Sequence, residues 1–349
     1  MKTQKTVSVK EVAKESGVSP STASIVLNNK SAEFRIAPET RDKVLETAKR
    51  LGYRPSRRMK RSDTACPRAL WCIFAPTNFD TGPTALFFQG VQHYLDQSGL
   101  AIEIILFPFE RGQLHLKRQW ISSHFVRGAI MTALSDEDVA FVQDMEFDIP
   151  IVLFNRTARH CYSVTTDEYT AGQHAMEHFI RRGHERFALI SPNYSNRSLS
   201  LRSVGFQDAF QKHAFHQSSA AILPTAFGEN SYEGGYAAVS ALLSQEKRPT
   251  ALFVLNDHMV GGALHCLQQR GLSIPEDMEI ITYGNTAINT LLLPTITSFA
   301  VPTEVMSFHC AKILHDAQEN GVLTDNVNRS FDAELIFRQS CPAAESASY

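Results

Sequence analysis

A chain of 349 residues, 43% hydrophobic and 20% charged, is long enough for two or three globular domains with a large core. Cys66, Cys72, Cys161, Cys266, Cys310 and Cys341 are scattered without a Cys-x-x-Cys pair, which argues against a disulfide framework or a zinc site and fits a reducing cytoplasm. A polar, basic start and the lack of any membrane-length apolar run speak against a signal peptide or a membrane span.

The formal charge of −2 conceals a segregation: residues 1–62 carry +9 and the remainder −11. A basic head on an acidic body suits a nucleic-acid-binding module joined to something that does not touch nucleic acid. Within the head, Ser8 followed by Glu11 reads as a capping box that opens a helix near Val9. Gly17 breaks that helix by supplying a left-handed turn position. Ser19-Pro20 starts a second helix, serine as cap and proline at the first helical position. Ala23, Val26 and Leu27 give it a buried side, so Pro20, Ser21, Thr22, Ile25 and Asn28 face outward. Hydroxyls and an amide suit base edges and phosphates, and Ile25 suits thymine methyls. A third helix begins at Pro38, with Val44, Leu45, Ala48 and Leu51 expected inward. Two short helices around a glycine turn predict a helix-turn-helix.

The run Val7-x-Val-Lys-Glu-Val-Ala-x-x-Ser-Gly-Val-Ser-x-x-Thr-Ala-Ser-x-Val-Leu-Asn28, with Glu39-Thr-Arg-x-Lys-Val44 and Leu51-Gly-Tyr-Arg-Pro55, resembles the DNA-binding domain of the LacI/GalR family of bacterial transcription repressors. The resemblance implies that Ser19, Pro20, Ser21, Thr22, Ile25 and Asn28 meet a palindromic operator in double-stranded DNA. It also implies that residues 54–67 form a hinge whose Arg57, Arg58, Lys60 and Arg61 neutralise phosphates. Where the family inserts a hinge leucine into the minor groove, this chain has Ser62.

Beyond the hinge, apolar runs of strand length at 69–75, 101–107, 128–132, 149–154, 186–191, 250–255 and 278–283 alternate with helical patterns at 87–98, 114–123, 136–145, 171–182, 201–213, 232–243 and 259–270. Such alternation predicts parallel sheets with right-handed crossovers. Pro150-Ile-Val-Leu-Phe-Asn155, Gly183-His-Glu-Arg-Phe-Ala-Leu-Ile190, Pro249-Thr-Ala-Leu-Phe-Val-Leu-Asn-Asp257 and Gly271-Leu-x-Ile-Pro-Glu-Asp277 extend the resemblance to the family's effector domain, akin to periplasmic sugar-binding proteins. The expected fold is therefore an all-α head plus an α/β body of two parallel-sheet lobes. Expected boundaries are a DNA-binding domain at 1–53, a hinge at 54–67, a body at 68–340 and a tail at 341–349. Within the body, lobe 1 takes about 68–163 and 300–322, and lobe 2 about 165–295 and 327–340, with crossings near 163–165, 295–300 and 320–328. That tail is too short for a heptad zipper, so a homodimer is expected rather than a tetramer.

Ligands of parallel α/β sheets sit beyond the carboxyl ends of the strands. Asn78, Phe79, Arg156, Phe227, Asn256 and Asn285 fall at such places and are expected to meet a small effector, a carbohydrate. By resemblance, Asp167 and Arg202 join them, while Asp257 is expected to cap the next helix. The rival readings are a solute-binding protein without DNA function and a metal-dependent hydrolase built on His174-Ala-Met-Glu-His178, an H-x-x-E-H pattern. No nucleophile elbow or phosphate-gripping glycine loop is present, so neither catalysis nor a cofactor is expected.

Overall fold

The computed structural model describes residues 9–27, 36–51, 70–77, 81–194, 196–216, 223–319 and 327–344. The chain divides into two compact units, residues 1–59 and 60–349.

The first unit holds α1 (Val9–Ser16), α2 (Pro20–Leu27) and α3 (Pro38–Arg50). Gly17 takes φ +69° between α1 and α2, a conformation that costs glycine little. Ser19 caps α2, its Oγ accepting from the Thr22 backbone N–H at 3.0 Å. Val12, Ala13, Ala23, Val26, Val44 and Ala48 close one small core. Thr47 takes the inward place expected of Leu45, which is 46% exposed. Counting from Val44, helical spacing selects 47, 48 and 51, and residue 45 points about 100° away. The Ser8 cap lies outside the described residues.

The second unit is built on two six-stranded sheets. In chain order its elements are β1 (Leu70–Pro76), α4 (Thr81–Ser98), β2 (Glu103–Phe109), a 3₁₀ segment Leu114–Trp120, β3 (Gly128–Thr132), α5 (Asp136–Asp144), β4 (Ile151–Phe154), β5 (Tyr162–Thr166), α6 (Glu168–Arg181), β6 (Phe187–Pro192), α7 (Arg197–His216), β7 (Thr225–Gly228), α8 (Tyr232–Leu243), β8 (Ala251–Val254), α9 (Asp257–Gln269), β9 (Glu279–Gly284), α10 (Ile288–Leu291), β10 (Thr297–Ala300), α11 (Thr303–Glu319), β11 (Asn328–Phe331) and β12 (Glu334–Ile336). The first sheet runs β11-β5-β4-β3-β1-β2, and the second β12-β10-β9-β8-β6-β7. Every pairing is parallel except that of β12 with β10.

Both sheets are covered on both faces, which explains why their central strands are apolar throughout rather than alternating. In β1, Trp71 and Ile73 pack towards α4 and α11, while Cys72 and Phe74 pack towards Leu114 and Val142. In β8, Leu252 and Val254 face α8 and α9, while Ala251 and Phe253 face α6 and α7. Helices α6 and α7 lie close because Gly172 and Gly205 present no Cβ where the carbonyls of Arg202 and Tyr169 sit.

Strand membership moves the lobe boundaries. β5 belongs to the first sheet up to Thr166 and β10 to the second up to Ala300. β11 pairs with β5 from Asn328↔Ser163 to Phe331↔Thr166, so residues 328–331 lie in lobe 1, not lobe 2, and the third crossing falls between Phe331 and Glu334. A largely exposed Asn-Arg-Ser-Phe strand has no apolar signature, and only its partner's free edge recruits it. The pattern at 114–123 resolves as 3₁₀ rather than α, because Asp138 takes the backbone N–H groups of Gly112 and Leu114 at 2.9 and 3.0 Å and pins its start.

Cys341 is buried in lobe 2 rather than part of a tail. Its Sγ donates to Glu279 Oε2 at 3.0 Å, and Arg182 and His184 reach the same carboxylate, with His184 Nε2 at 3.0 Å. Burial alone would raise the Glu279 carboxyl, but the bonds from His184, Arg182 and Cys341 outweigh it and hold it at about 2 against an ordinary 4.5. A depressed carboxyl contributes stability above its unfolded value and loses it as pH falls through its folded value. Glu279→Gln is therefore expected to cost about 3 kcal/mol near neutrality and to flatten the acid limb of the stability curve between roughly pH 4.5 and 2, measured by urea unfolding across pH. An unaltered acid limb would show that this carboxylate does not tie down the C-terminal segment.

Candidate functional site

The head presents α2. With Ala23 and Val26 buried beneath, its amino-terminal turn puts Ser19, Pro20 and Ser21 at the surface, and Thr22 and Ile25 half-buried beside them. Ser19 Oγ also lies 2.8 Å from Thr22 Oγ1, so two hydroxyls are held at the amino end of this helix. A helix with an uncharged, hydroxyl-bearing exposed turn can lie in a major groove and donate to phosphates or base edges. Asn28, Arg57, Arg58, Lys60 and Arg61 lie outside the described residues.

In the body, the carboxyl ends of β1, β3 and β4 face those of β6 and β8 across a cleft of about 850 Å³. Lobe 1 contributes Phe87, Phe88, Arg111, Asp136, Glu137, Asn155 and Arg156, and lobe 2 contributes Tyr194, Asn196, Ser198, Asn230, Asn256 and His258. An apolar floor, where Phe87 meets Phe154 edge-on at 5.0 Å, lies under polar walls from both lobes. Volume and chemistry match a site for a small polar solute.

Two of the residues expected from the sequence line this cleft. Arg156 is fixed by donating from Nε to the Leu134 carbonyl at 2.9 Å and from Nη1 to the Asn155 carbonyl at 3.3 Å. Burial lowers its pKa, Asp136 pulls the other way, and Arg111 and Arg197 push it further down. Asn256 also lines the cleft, and its Oδ1 caps α9 by accepting from the His258 N–H at 3.0 Å. The cap is thus Asn256 and not Asp257. Asp257 is buried behind it, accepting from the Thr286 N–H at 2.7 Å and from Asn289 Nδ2 at 2.7 Å, because the β9–α10 loop offers donors that the helix end does not need.

The others sit outside the lining. Asp167 caps α6, accepting from the Thr170 N–H at 3.0 Å and its hydroxyl at 2.8 Å. Arg202 is buried against Glu168, with Nε and Nη2 at 3.0 and 2.8 Å from Oε2, and its guanidinium lies 3.3 Å from the centre of the Tyr283 ring. It also donates to the Leu255 carbonyl. Asn285 accepts from Arg338 Nη2 at 2.7 Å, and Phe227 is 66% exposed on β7. Asn78 and Phe79 lie outside the described residues. Asn155, which like Arg156 follows the Ile151–Phe154 strand, lines the cleft as its position predicts, whereas sequence reading missed Arg111, Asp136 and Asn196. The strand-end rule that found Arg156 points to Arg111, Asp136 and Asn196 as well, since each follows a strand.

Within the H-x-x-E-H stretch, His174 is exposed, whereas His178 is buried with Nε2 3.0 Å from the Pro342 carbonyl and its ring against Phe337 at 4.7 Å. That ring is a satisfied core histidine. The five described cysteines are free and buried. No described helix is long and apolar enough to cross a membrane.

A helix-turn-helix head and a two-lobed, cleft-bearing body together define a DNA-binding regulator with a solute-binding domain. Comparison with known proteins agrees. Residues 8–56 match the family described as bacterial regulatory proteins, lacI family, and residues 176–341 match a periplasmic binding protein-like domain. Catabolite control protein A of Priestia megaterium is 29% identical over 306 residues, covering 85% of this chain and 88% of that one. The HTH-type transcriptional repressor PurR of Haemophilus influenzae is 27% identical, covering 83% and 84%. Among solved structures, a transcriptional regulator CelR–cellobiose complex shares the fold with a TM-score of 0.67 at 24% identity, covering 96% and 99%. The chain carries a lacI-family DNA-binding domain ahead of a periplasmic binding protein-like domain and is a sequence-specific DNA-binding transcriptional regulator.

The Glu168–Arg202 pair is expected to matter for the fold rather than for direct contact with a solute. Glu168→Gln or Arg202→Met leaves one buried charge unmatched and should destabilise the chain by about 3–5 kcal/mol, read from urea denaturation. A double replacement that restores most of that loss would confirm that the cost lies in the orphaned charge.

Proposed function

We propose that this regulator is a repressor whose operator affinity is set by a small carbohydrate held in the 850 Å³ cleft. The observation that carries the reading is the convergence of polar side chains from both lobes, Arg156 and Asn155 from one and Asn196, Asn230 and Asn256 from the other, over an apolar floor. A solute gripped from both sides favours one arrangement of the lobes over another, and linkage turns that preference into a change in DNA affinity, of about 1–3 kcal/mol for typical couplings. The CelR relative, solved with cellobiose, supports a sugar as the class of solute. Arg156 and Asn256 serve as direct contacts, and Asp167 and Arg202 hold the helices that frame them.

On the DNA side, Ser21, Thr22 and Ile25 read base edges, while Ser19, Asn28 and the basic run Arg57, Arg58, Lys60 and Arg61 bind phosphates. The active species is a homodimer, because one helix in one groove gives little affinity and a two-fold protein reads a palindrome. The domain limits that go with this reading are a DNA-binding head ending near residue 53, a basic hinge to residue 67 and an effector body through Cys341. Work on the chromosome in a reducing compartment places the protein in the cytoplasm, and the relatives are regulators rather than enzymes.

Ser21→Ala or Ile25→Ala is expected to change which operator is preferred by about 1–3 kcal/mol at the contacted base pairs. Arg58→Ala should weaken all sequences alike and lower the salt slope by about 1, measured by fluorescence anisotropy on duplexes from 50 to 300 mM salt. The reading helix is misassigned if Arg58→Ala shifts sequence preference and Ile25→Ala does not. Full-length protein that ignores duplex DNA at low salt, with and without every sugar tried, would sink the proposal.

A further inference from the structure

Guanidinium groups from both lobes gather at the cleft. Arg111 and Arg156 line it, and Arg197, in the first turn of α7, stands near enough that its charge and that of Arg111 both bear on Arg156. Like charges repel, and the Asp136 carboxylate offsets only part of that repulsion at Arg156, without closing to an ion pair. Arg156 donates only to backbone carbonyls, and no described carboxylate lies within ion-pair distance of Arg111, Arg156 or Arg197.

The second observation concerns the helices. The amino ends of α5, α7 and α9 all contribute to the cleft lining, through Ser135, Asp136 and Glu137, through Ser198, and through His258. An amino end carries partial positive charge, which proteins ordinarily offset with acids in the first turn. α5 has three there, Asp136, Glu137 and Asp138, and α9 has Asp257. α7, twenty residues long, has none and begins with an arginine instead. Its cap, Asn196, accepts from the Leu199 N–H at 2.9 Å and lines the cleft with Ser198. Of the two acids that line the cleft, Glu137 is committed to α5, held below the usual carboxylate range by its own backbone N–H and the Ser135 hydroxyl. Both remain able to accept from hydroxyls.

We infer that the solute of this cleft is an acidic carbohydrate, whose carboxylate or phosphate sits between Arg111, Arg156 and the amino end of α7 while its hydroxyls meet the carboxylates and amides opposite. This inference rests on the reading of the cleft as the effector site. An anion there relieves the repulsion among the arginines and offsets the α7 dipole together, whereas a neutral sugar does neither.

The test is calorimetry on the full-length chain with glucose, galactose and ribose, each beside its aldonic or uronic acid and its terminal phosphate. At least one acidic member should bind tenfold or more tightly than its neutral parent, and the two acidic series separate carboxylate from phosphate. That advantage should shrink from 50 to 500 mM salt. It should fall about tenfold in Arg156→Gln and in Arg111→Gln, the latter an exposed residue whose loss leaves the fold intact by thermal melting. A neutral parent that binds as well as its acids, or an acid advantage that survives both substitutions, overturns the inference and leaves the proposed function standing. Failure of every acidic member to bind also overturns it. If in addition no neutral sugar alters operator affinity, the reading of the cleft as an effector site falls too.

Discussion

The body depends on a polar junction where the chain first passes from one lobe to the other. Asn155, at φ +57° after β4, turns its Oδ1 to the Thr166 backbone N–H at 3.2 Å. The Thr166 hydroxyl lies 2.7 Å from Glu168, and Glu168 holds Arg202, which reaches the carbonyl of Leu255 and covers Tyr283. Asn155 after β4, Thr166 of β5, Glu168 of α6, Arg202 of α7 and Leu255 after β8 thereby share one hydrogen-bonded chain, with the Tyr283 ring of β9 stacked on the guanidinium. Breaking it at any member leaves a buried polar group unmatched, and this makes the junction a demanding constraint on sequence. Asn155 also lines the cleft, so the strut that joins the lobes and the wall that meets a solute are contiguous.

Placing the cleft at the carboxyl ends of both sheets has an electrostatic consequence. Right-handed crossovers send each helix away from those ends, so several amino termini converge there. Several are offset by acids in their own first turns, but those of α4 and α7 are not, and that of α7 stands beside clustered arginines. The global asymmetry, a basic head on an acidic body, governs attraction to DNA at a distance. The local asymmetry within the cleft governs which solute is worth admitting.

Local chemistry made the head readable. Glycine at the turn, serine before proline and residues spaced three and four apart are short-range signals, and they account for α2 and its cap. The one inward residue misread there, Leu45, came from weighing hydrophobicity over helical spacing. Central strands were legible for a related reason: sheets buried on both faces need unbroken apolar runs. Edge strands were not. Those such as β11 carry little apolar signal, and their place follows from a neighbour's unpaired backbone.

The sequence by itself determined the alternation of strands and helices, the helix-turn-helix and the segregation of charge, since each depends on residues close in the chain or on simple sums over it. Only the tertiary structure decided which polar residues face the cleft. Arg156 and Arg202 are both arginines expected at the effector site, yet one is left open to a solute and the other is consumed by Glu168, 34 positions before it. That distinction rests on which buried carboxylate lies within reach, a fact of packing that no local pattern encodes.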